Sequence, residues 1–253
     1  MDMIQCSDLT KDFGNKRAVN GLNLEVERGE IYGFLGTNGA GKTTTIKMLT
    51  GQLPITSGKA SVLGMDIEEN ELEIKRRIGI IPDEPRIYQY FTGYEFVEFI
   101  MDVFKMNDSA TKQNFQELTE AFGIDFLNTP ISEMSHGMKQ KMMVTSVLMR
   151  RPRVIFLDEP TVGLDARSSK ILKDLLKKRV SEGATIFLTT HVLEIAEKMC
   201  DRIGILDEGE LLAEGTMDEL RNRESMKDGT SLEDLFLKLT GQSDDVMNIV
   251  EAL

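Results

Sequence analysis

The feature that most constrains this chain is the run Gly36-Thr37-Asn38-Gly39-Ala40-Gly41-Lys42-Thr43-Thr44, entered directly from the apolar hexapeptide IYGFLG. Two glycines with four residues between them, Gly36 and Gly41, followed by lysine and threonine, form the phosphate-loop pattern when they sit between a buried strand and a helix. The glycines let the backbone wrap round phosphates. Successive N–H groups and the helix N-terminus then face the β-phosphate, Lys42 adds a mobile positive charge, and the Thr43 hydroxyl is suited to Mg2+. A glycine turn that merely joined strand to helix would explain neither the lysine nor the threonine.

Around this loop the pattern is that of a parallel α/β core. Ile78 to Ile81, Val154 to Leu157 and Ala184 to Thr189 read as buried strands with helical stretches between them. The first 30 residues instead alternate short apolar runs with turn signals at Gly14-Asn15, Asn20-Gly21 and Arg28-Gly29, which predicts a small antiparallel sheet. Between residues 86 and 151 the strand signal disappears, and Glu95 to Phe104, Thr111 to Phe122 and His136 to Leu148 are candidate helices of an inserted subdomain. Residues 68–77 mix acidic and basic side chains at helical spacing and read as a solvated helix. RIGILDEGELLAEG reads as a hairpin, and Ser231 to Gly241 as a closing amphipathic helix with a serine start and a glycine stop. The expected organisation is one domain. Residues 1–85 and 152–215 form the nucleotide-binding core with its antiparallel part, 86–151 the helical subdomain, and 216–253 a C-terminal helical extension.

Composition narrows the function classes. A chain of 253 residues with 41% apolar side chains can bury one full core. With 30 Lys+Arg against 42 Asp+Glu, a net charge of -12, its field repels phosphate backbones, so no nucleic-acid partner is expected. Cys6 and Cys200 cannot build a disulfide framework, and the opening MDMIQCSDLTKDFG is neither a basic leader nor an apolar signal core, which predicts a cytosolic protein. No stretch approaches the roughly 20 apolar residues that cross a bilayer, so a membrane role requires a second polypeptide.

More than a hundred residues beyond the phosphate loop, Val154-Ile155-Phe156-Leu157-Asp158-Glu159-Pro160 delivers two carboxylates to a strand's C-terminal end, where open α/β sheets place ligands. Asp158 is suited to hold Mg2+ through its water shell, and Glu159 to polarise the water that attacks a γ-phosphate. Alone, such a strand end is often only a polar cap; beside a phosphate loop it is a catalytic candidate. A further buried strand, Ala184 to Thr189, runs through Thr190 into His191, one of two histidines in the chain. At that place His191 is a candidate sensor of the transferring phosphoryl group. Met138, Met142, Met143 and Met149 fall near helical spacing and are read as core packing rather than a soft-metal site.

In this order the motifs resemble the nucleotide-binding domain of ABC transporters over nearly the whole chain. The resemblance implies an α/β ABC ATPase fold: a P-loop NTPase core with a parallel sheet, an N-terminal antiparallel β subdomain and an inserted helical subdomain. It also implies ATP and Mg2+ as ligands. Phe13 occupies the place of the family's adenine-stacking aromatic, a contact worth about 1–3 kcal/mol per base; a core side chain of the first sheet is the competing reading. The family's Leu-Ser-Gly-Gly-Gln signature corresponds to Met134-Ser135-His136-Gly137-Met138, where only the serine and one glycine survive. Ser135 and Gly137 would then meet the γ-phosphate bound by a second subunit, and Ser135 is equally a helix N-cap. Pro160-Thr161-Val162-Gly163-Leu164-Asp165 resembles the D-loop, with Asp165 near the dimer interface and also a natural cap. Where the family has the Q-loop glutamine, the chain reads Ile80-Ile81-Pro82-Asp83-Glu84-Pro85. Asp83 can reach Mg2+ or its water, but it adds negative charge and cannot donate as an amide does.

The IleProAspGluPro, SerHisGlyMetLysGln and SerLeuGluAspLeuPheLeuLysLeuThrGly stretches resemble the bacterial and archaeal drug-resistance and multidrug-export branch. That implies an exporter ATPase at the cytoplasmic face of the membrane, a second ATPase subunit (homodimer or sibling heterodimer) and a separately encoded transmembrane permease. The permease's helix would enter a groove near Asp83, with Tyr88, Tyr90, Phe91, Tyr94 and Phe96 as possible anchors. The alternative is a soluble ABC ATPase acting on nucleic acid or ribosomes. Its ribosomal relatives carry two such domains in one chain and its DNA-repair relatives a long coiled coil, and this sequence shows neither. A P-loop kinase or GTPase would leave the signature unexplained, and no Asn-Lys-x-Asp guanine motif occurs.

Overall fold

A computed structural model describes residues 2–223 and 230–241. Two long strands, β1 (Asp2–Phe13) and β2 (Lys16–Glu27), pair antiparallel across the two-residue turn Gly14-Asn15, where Gly14 takes φ +59°. Asn20-Gly21 does not turn the chain. Leu9 faces Leu22 while Lys11 faces Val19, so β2 uses three residue steps where β1 uses two, and Gly21 takes the left-handed φ of +58° in a bulge. Asn-Gly suits any site that needs positive φ, and a bulge is one such site.

All six residues of β3 (Ile31–Gly36) are buried, as expected of a strand covered on both faces. After it come α1 (Lys42–Leu49), β4 (Ser57–Val62) and β5 (Met65–Asp66), the last two completing a four-stranded sheet in the order β2-β1-β4-β5. The sequence SGKASV of β4 carries little apolar signal, because its first half is exposed. In α2 (Glu71–Arg77) only Ile74 is buried, and Glu73 pairs with Arg77 one turn on, which is the solvated helix the charge pattern predicts.

Between β6 (Ile78–Ile81) and β7 (Val154–Asp158) lie α3 (Gly93–Phe104), α4 (Ser109–Phe122), a single 3-10 turn at Ile131–Glu133 and α5 (His136–Leu148). The first two start two residues earlier than their apolar pattern suggests, because polar caps set the boundary. Thr92 and Glu95 form a reciprocal capping box, and Asp108 accepts from Thr111 N at 2.9 Å. Then follow α6 (Ala166–Ser181), β8 (Thr185–Thr189), α7 (Leu193–Met199), the hairpin β9 (Arg202–Asp207) and β10 (Glu210–Gly215), α8 (Met217–Arg223) and α9 (Leu232–Leu239), whose N-cap is Ser231. Residues 224–229 and 242–253 of the expected C-terminal extension lie outside the described residues.

The central sheet runs β10-β9-β3-β8-β7-β6. Its pairings are parallel from β9 to β6, and β10 adds an antiparallel edge, so the expected parallel sheet is a mixed one. Alternation along the strands serves two cores. Tyr32, Phe34, Phe156 and Phe187 point to one face, with successive centroids 5.2 to 5.7 Å apart, against the antiparallel sheet and α1. Ile155, Leu157, Ile186 and Leu188 point to the other, where Met142 and Met149 of the helical insert fill the space beside them. Because β8 lies between β3 and β7, three strand ends emerge side by side at the carboxyl edge. Among the described residues no helix is long and apolar enough to cross a membrane.

Candidate functional site

The phosphate loop follows β3, and close packing dictates its glycines. A Cβ on Gly36 would lie 2.4 Å from the Leu206 carbonyl oxygen; one on Gly41, where φ is +112°, would lie 2.4 Å from that of Ala18. Lys42 folds back over the loop, its Nζ donating to the carbonyls of Gly36 at 2.8 Å and Thr37 at 3.0 Å. Burial pulls its pKa below the usual lysine value, while the nearby Glu159 and Asp158 oppose that shift. These carbonyl bonds are ones a phosphate can replace.

At the end of β7, Asp158 is 9% exposed and held from both sides: Thr43 Oγ1 donates to Oδ2 at 2.8 Å and Thr189 Oγ1 to Oδ1 at 2.5 Å. A hydroxyl and a carboxylate in direct contact form the hard-oxygen donor set that Mg2+ takes. The next residue, Glu159, has φ +49°, a left-handed conformation that costs a non-glycine residue of order 1 kcal/mol or more and that clusters at functional sites. Its Oε1 lies 2.8 Å from Nδ1 of His191, and its Oε2 is buried without a hydrogen-bond partner. A buried carboxylate oxygen with a free lone pair beside a phosphate loop is suited to accept from a water.

These groups open into one cavity of about 750 Å³. Asn38, Gly39, Gly41, Lys42, Thr43 and Thr44 of the loop line it together with Asp83, Asp158, Glu159 and His191. Phe13 lines the same cavity with Lys16 and Ala18 and is 49% exposed, so it is not a core residue of the first sheet. Gly36, Thr37 and Ala40 shape the loop from behind. Thr37 Oγ1 donates to Asp207 Oδ1 at 2.8 Å, and Ala40 O accepts from Gly209 N at 3.0 Å, so the β9–β10 turn braces the loop. Lys16, Ala18 and Asp207 were not among the sequence candidates, and Val162 and Thr189 entered only as members of the D-loop and of a buried strand. Thr189 carried a weak signal, lying at a strand end two residues before His191; Asp207 carried none, since nothing along the chain relates it to Thr37.

Three further candidates, Ser135, Gly137 and Asp165, belong to other elements and do not line this cavity. Ser135 Oγ accepts from Met138 N at 3.2 Å as the N-cap of α5. Asp165 caps α6, accepting from Ser168 N at 2.8 Å, and pairs with Lys141 at 3.0 Å; the cap bond first and then the lysine hold its carboxyl well below the usual carboxylate range. The two helix starts are keyed to each other. Gln140 Nε2 donates to Pro160 O at 3.3 Å, and a Cβ on Gly163 would lie 2.2 Å from the His136 ring. Of the five expected aromatic anchors, Tyr88 and Phe96 line a separate groove by β6, α3 and α5. Phe96 is buried in the core, Phe91 packs on Tyr88 at 5.5 Å, and Tyr90 and Tyr94 are exposed outside the groove.

A parallel sheet that sets a phosphate loop, an Asp-Glu strand end and a histidine side by side defines a P-loop nucleoside triphosphatase. The family model for ABC transporters matches residues 19–162. The chain is 36% identical over 222 residues to the linearmycin resistance ATP-binding protein LnrL of Bacillus subtilis, covering 87% of this chain and 71% of that one. It is 35% identical to the probable multidrug ABC transporter ATP-binding protein YbhF of Escherichia coli, covering 94% of this chain but only 41% of YbhF. A solved ATP-binding subunit of an ABC transporter superposes with a TM-score of 0.90 at 29% identity, covering 94% of this chain and 99% of that one. The chain belongs to the ABC transporter family, as an ATP-binding subunit that hydrolyses ATP.

Proposed function

We propose that this chain is the motor of an exporter: two such subunits close on MgATP and drive a separately encoded transmembrane permease at the cytoplasmic face of the membrane. The observation that carries this reading is the division of its motifs. Lys42, Thr43, Asp158 and Glu159 converge on one cavity, while Ser135, Gly137 and Asp165 sit on helix starts that do not line it. Those three are complementary to a nucleotide held by a second subunit, identical or sibling. The export assignment is supported by the resistance and multidrug names of the relatives. Residues 1–85 and 152–215 act as the nucleotide-binding core, 86–151 as the helical subdomain that presents the signature, and 216–253 as a C-terminal extension.

In this reading Phe13 stacks on adenine, and the loop from Gly36 to Thr44 cradles the phosphates with its N–H groups. Lys42 leaves the carbonyls of Gly36 and Thr37 for the β/γ-phosphates. Thr43 and Asp158, with Asp83 beyond them, would hold Mg2+, which neutralises charge on the β- and γ-oxygens. Glu159 orients the attacking water through its free oxygen, and His191 steadies that carboxylate and contacts the γ-phosphate. The permease enters the groove at β6, α3 and α5.

Mixing variants tests the shared site. Ser135→Arg and Lys42→Ala chains should each be inactive alone, while the mixture regains activity from heterodimers that keep one intact composite site. A mixture that stays inactive, with heterodimers demonstrated, counts against sites that are shared and able to fire singly.

A further inference from the structure

The aromatic ring of the nucleotide cavity has a cation beside it that none of the motifs accounts for. Lys11 Nζ lies over the Phe13 ring, 5.3 Å from its centroid, inside the roughly 6 Å within which a cation is attracted to an aromatic face. The two residues stand two apart near the end of β1, a spacing that puts side chains on one side of a strand. Phe13 is half-exposed and lines the cavity, whereas Lys11 is only 7% exposed and does not line it.

Lys11 is drawn out of water with sparse compensation. Its Nζ donates to the Pro54 carbonyl at 2.6 Å and forms no ion pair among the described residues. The adjacent carboxylate, Asp12, is engaged by Arg17 at 2.9 Å. The tie between β1 and the segment after α1 does not depend on the lysine, because Thr56 N donates to Thr10 O at 3.1 Å and Asp12 N to Thr56 Oγ1 at 3.0 Å. An apolar side chain would pack against the ring at lower desolvation cost, so folding alone does not call for an ammonium at this place.

We infer that Lys11 is a positioning residue for the nucleobase: its ammonium holds the Phe13 ring by one face and leaves the other to the base. Both faces of an aromatic ring carry negative charge, so a cation at one face draws density from the other and lowers the repulsion between the ring and the π-cloud of a stacked base. The cation also restrains a half-exposed ring before the nucleotide arrives, so less rotamer freedom is lost on binding. This role rests on the reading of Phe13 as the adenine platform and gives that platform a partner within the chain. Lys11 acts through the ring alone, so its effect is confined to ligands that carry a base.

The test measures binding of MgATP and of inorganic tripolyphosphate, which has the phosphates and no base, to the full chain in competition with a fluorescent nucleotide. Lys11→Met should raise the Kd for MgATP about three- to tenfold and leave that for tripolyphosphate within about twofold of wild type. Lys11→Arg, which keeps a cation able to lie over the ring, should retain MgATP affinity. In the Phe13→Leu background, where MgATP binding is already weakened, Lys11→Met should add no further loss. Should Lys11→Met fail to fold, Lys11→Gln, which keeps a donor for the Pro54 carbonyl without the charge, is expected to show the same base-dependent loss. Unchanged MgATP affinity in Lys11→Met, or a loss in Lys11→Arg as large as in Lys11→Met, overturns the inference and leaves the stacking on Phe13 standing. Equal weakening of MgATP and tripolyphosphate, or a loss that persists in the Phe13→Leu background, assigns Lys11 to the fold of the loop at Pro54 and overturns the inference as well. Full MgATP affinity in Phe13→Leu alone overturns both the stacking and the role of Lys11.

Discussion

The nucleotide cavity and the groove by α3 each hold a cation drawn out of water, and the two are compensated differently. Lys42 has two backbone carbonyls on its Nζ and the carboxylates of Asp158 and Glu159 close enough to raise its pKa against burial. Arg150 has one carbonyl, one aromatic face and, among the described residues, no carboxylate. A site whose charges are balanced within the chain can form before its ligand arrives and exchange internal bonds for those to phosphate. The contrast separates a cation poised to exchange its internal bonds for those to a small anion from one fixed by packing and a single carbonyl.

The sharpest way to break the comparison is to remove the cavity's cation. Lys42→Ala leaves Asp158 and Glu159 facing the phosphates uncompensated, and MgATP turnover should fall by about 10²–10³-fold or more, with weakened nucleotide binding. Glu159→Gln should lose turnover comparably yet keep binding, since Asp158 and Thr43 are untouched. Steady-state phosphate release with a fluorescent-nucleotide titration separates the two; wild-type turnover in Lys42→Ala sinks the phosphate-loop assignment, and in Glu159→Gln the role given to that carboxylate.

Next in size is the cavity's backbone. Gly36→Ala forces a methyl against the Leu206 carbonyl and the Ala40 methyl, an overpacking that should cost about 1–3 kcal/mol in urea unfolding and weaken nucleotide binding with it. Unchanged stability would mean that β9 yields easily and does not brace the loop.

In the groove the sign should reverse. Arg150→Met removes a recessed charge whose solvation is lost and whose pairing is incomplete, so the isolated chain should melt at the same temperature or higher. A clear drop in melting temperature would show that Arg150 serves folding, and the comparison with Lys42 would collapse.

The smallest expected effect lies between the two regions, at the Asp165 cap. Its folded pKa is depressed by the Ser168 N–H first and then by Lys141, so its contribution to stability is full above the ordinary carboxylate value of about 3.9 and fades as the pH falls below it toward the folded value. The melting-temperature gap between wild type and Asp165→Asn should therefore be small at neutral pH and narrow below about pH 4. A gap that widened in acid would contradict the depressed carboxyl.

Much of the site was legible because its chemistry is contiguous. A phosphate loop needs glycines, a lysine and a threonine within one turn of chain, and Asp158 with Glu159 needs only a strand to carry them, so both can be read from neighbouring residues. The bulge at Gly21 was not legible as such, since Asn-Gly serves turns and bulges alike and only the pairing of Leu9 with Leu22 distinguishes them. Of the aromatic run after Asp83, sequence alone could not say that Phe96 belongs to the core while Tyr94 is left exposed, because α3 is apolar over most of its surface and its orientation is set by what packs on it.

By itself the sequence determined the strand and helix alternation, the local chemistry of the loop and the two strand ends, and the caps at Ser135, Asp165 and Ser231, because each depends on side chains within a few residues of one another. Only the tertiary structure decided the order of β3, β8 and β7 that brings those strand ends together, the brace from Asp207 to Thr37, the keying of His136 against Gly163, and the seating of Arg150 over Phe104. Each of these is a relation between segments far apart in the chain. Such relations are set by how the two faces of the central sheet are covered, and no local pattern of residues encodes that.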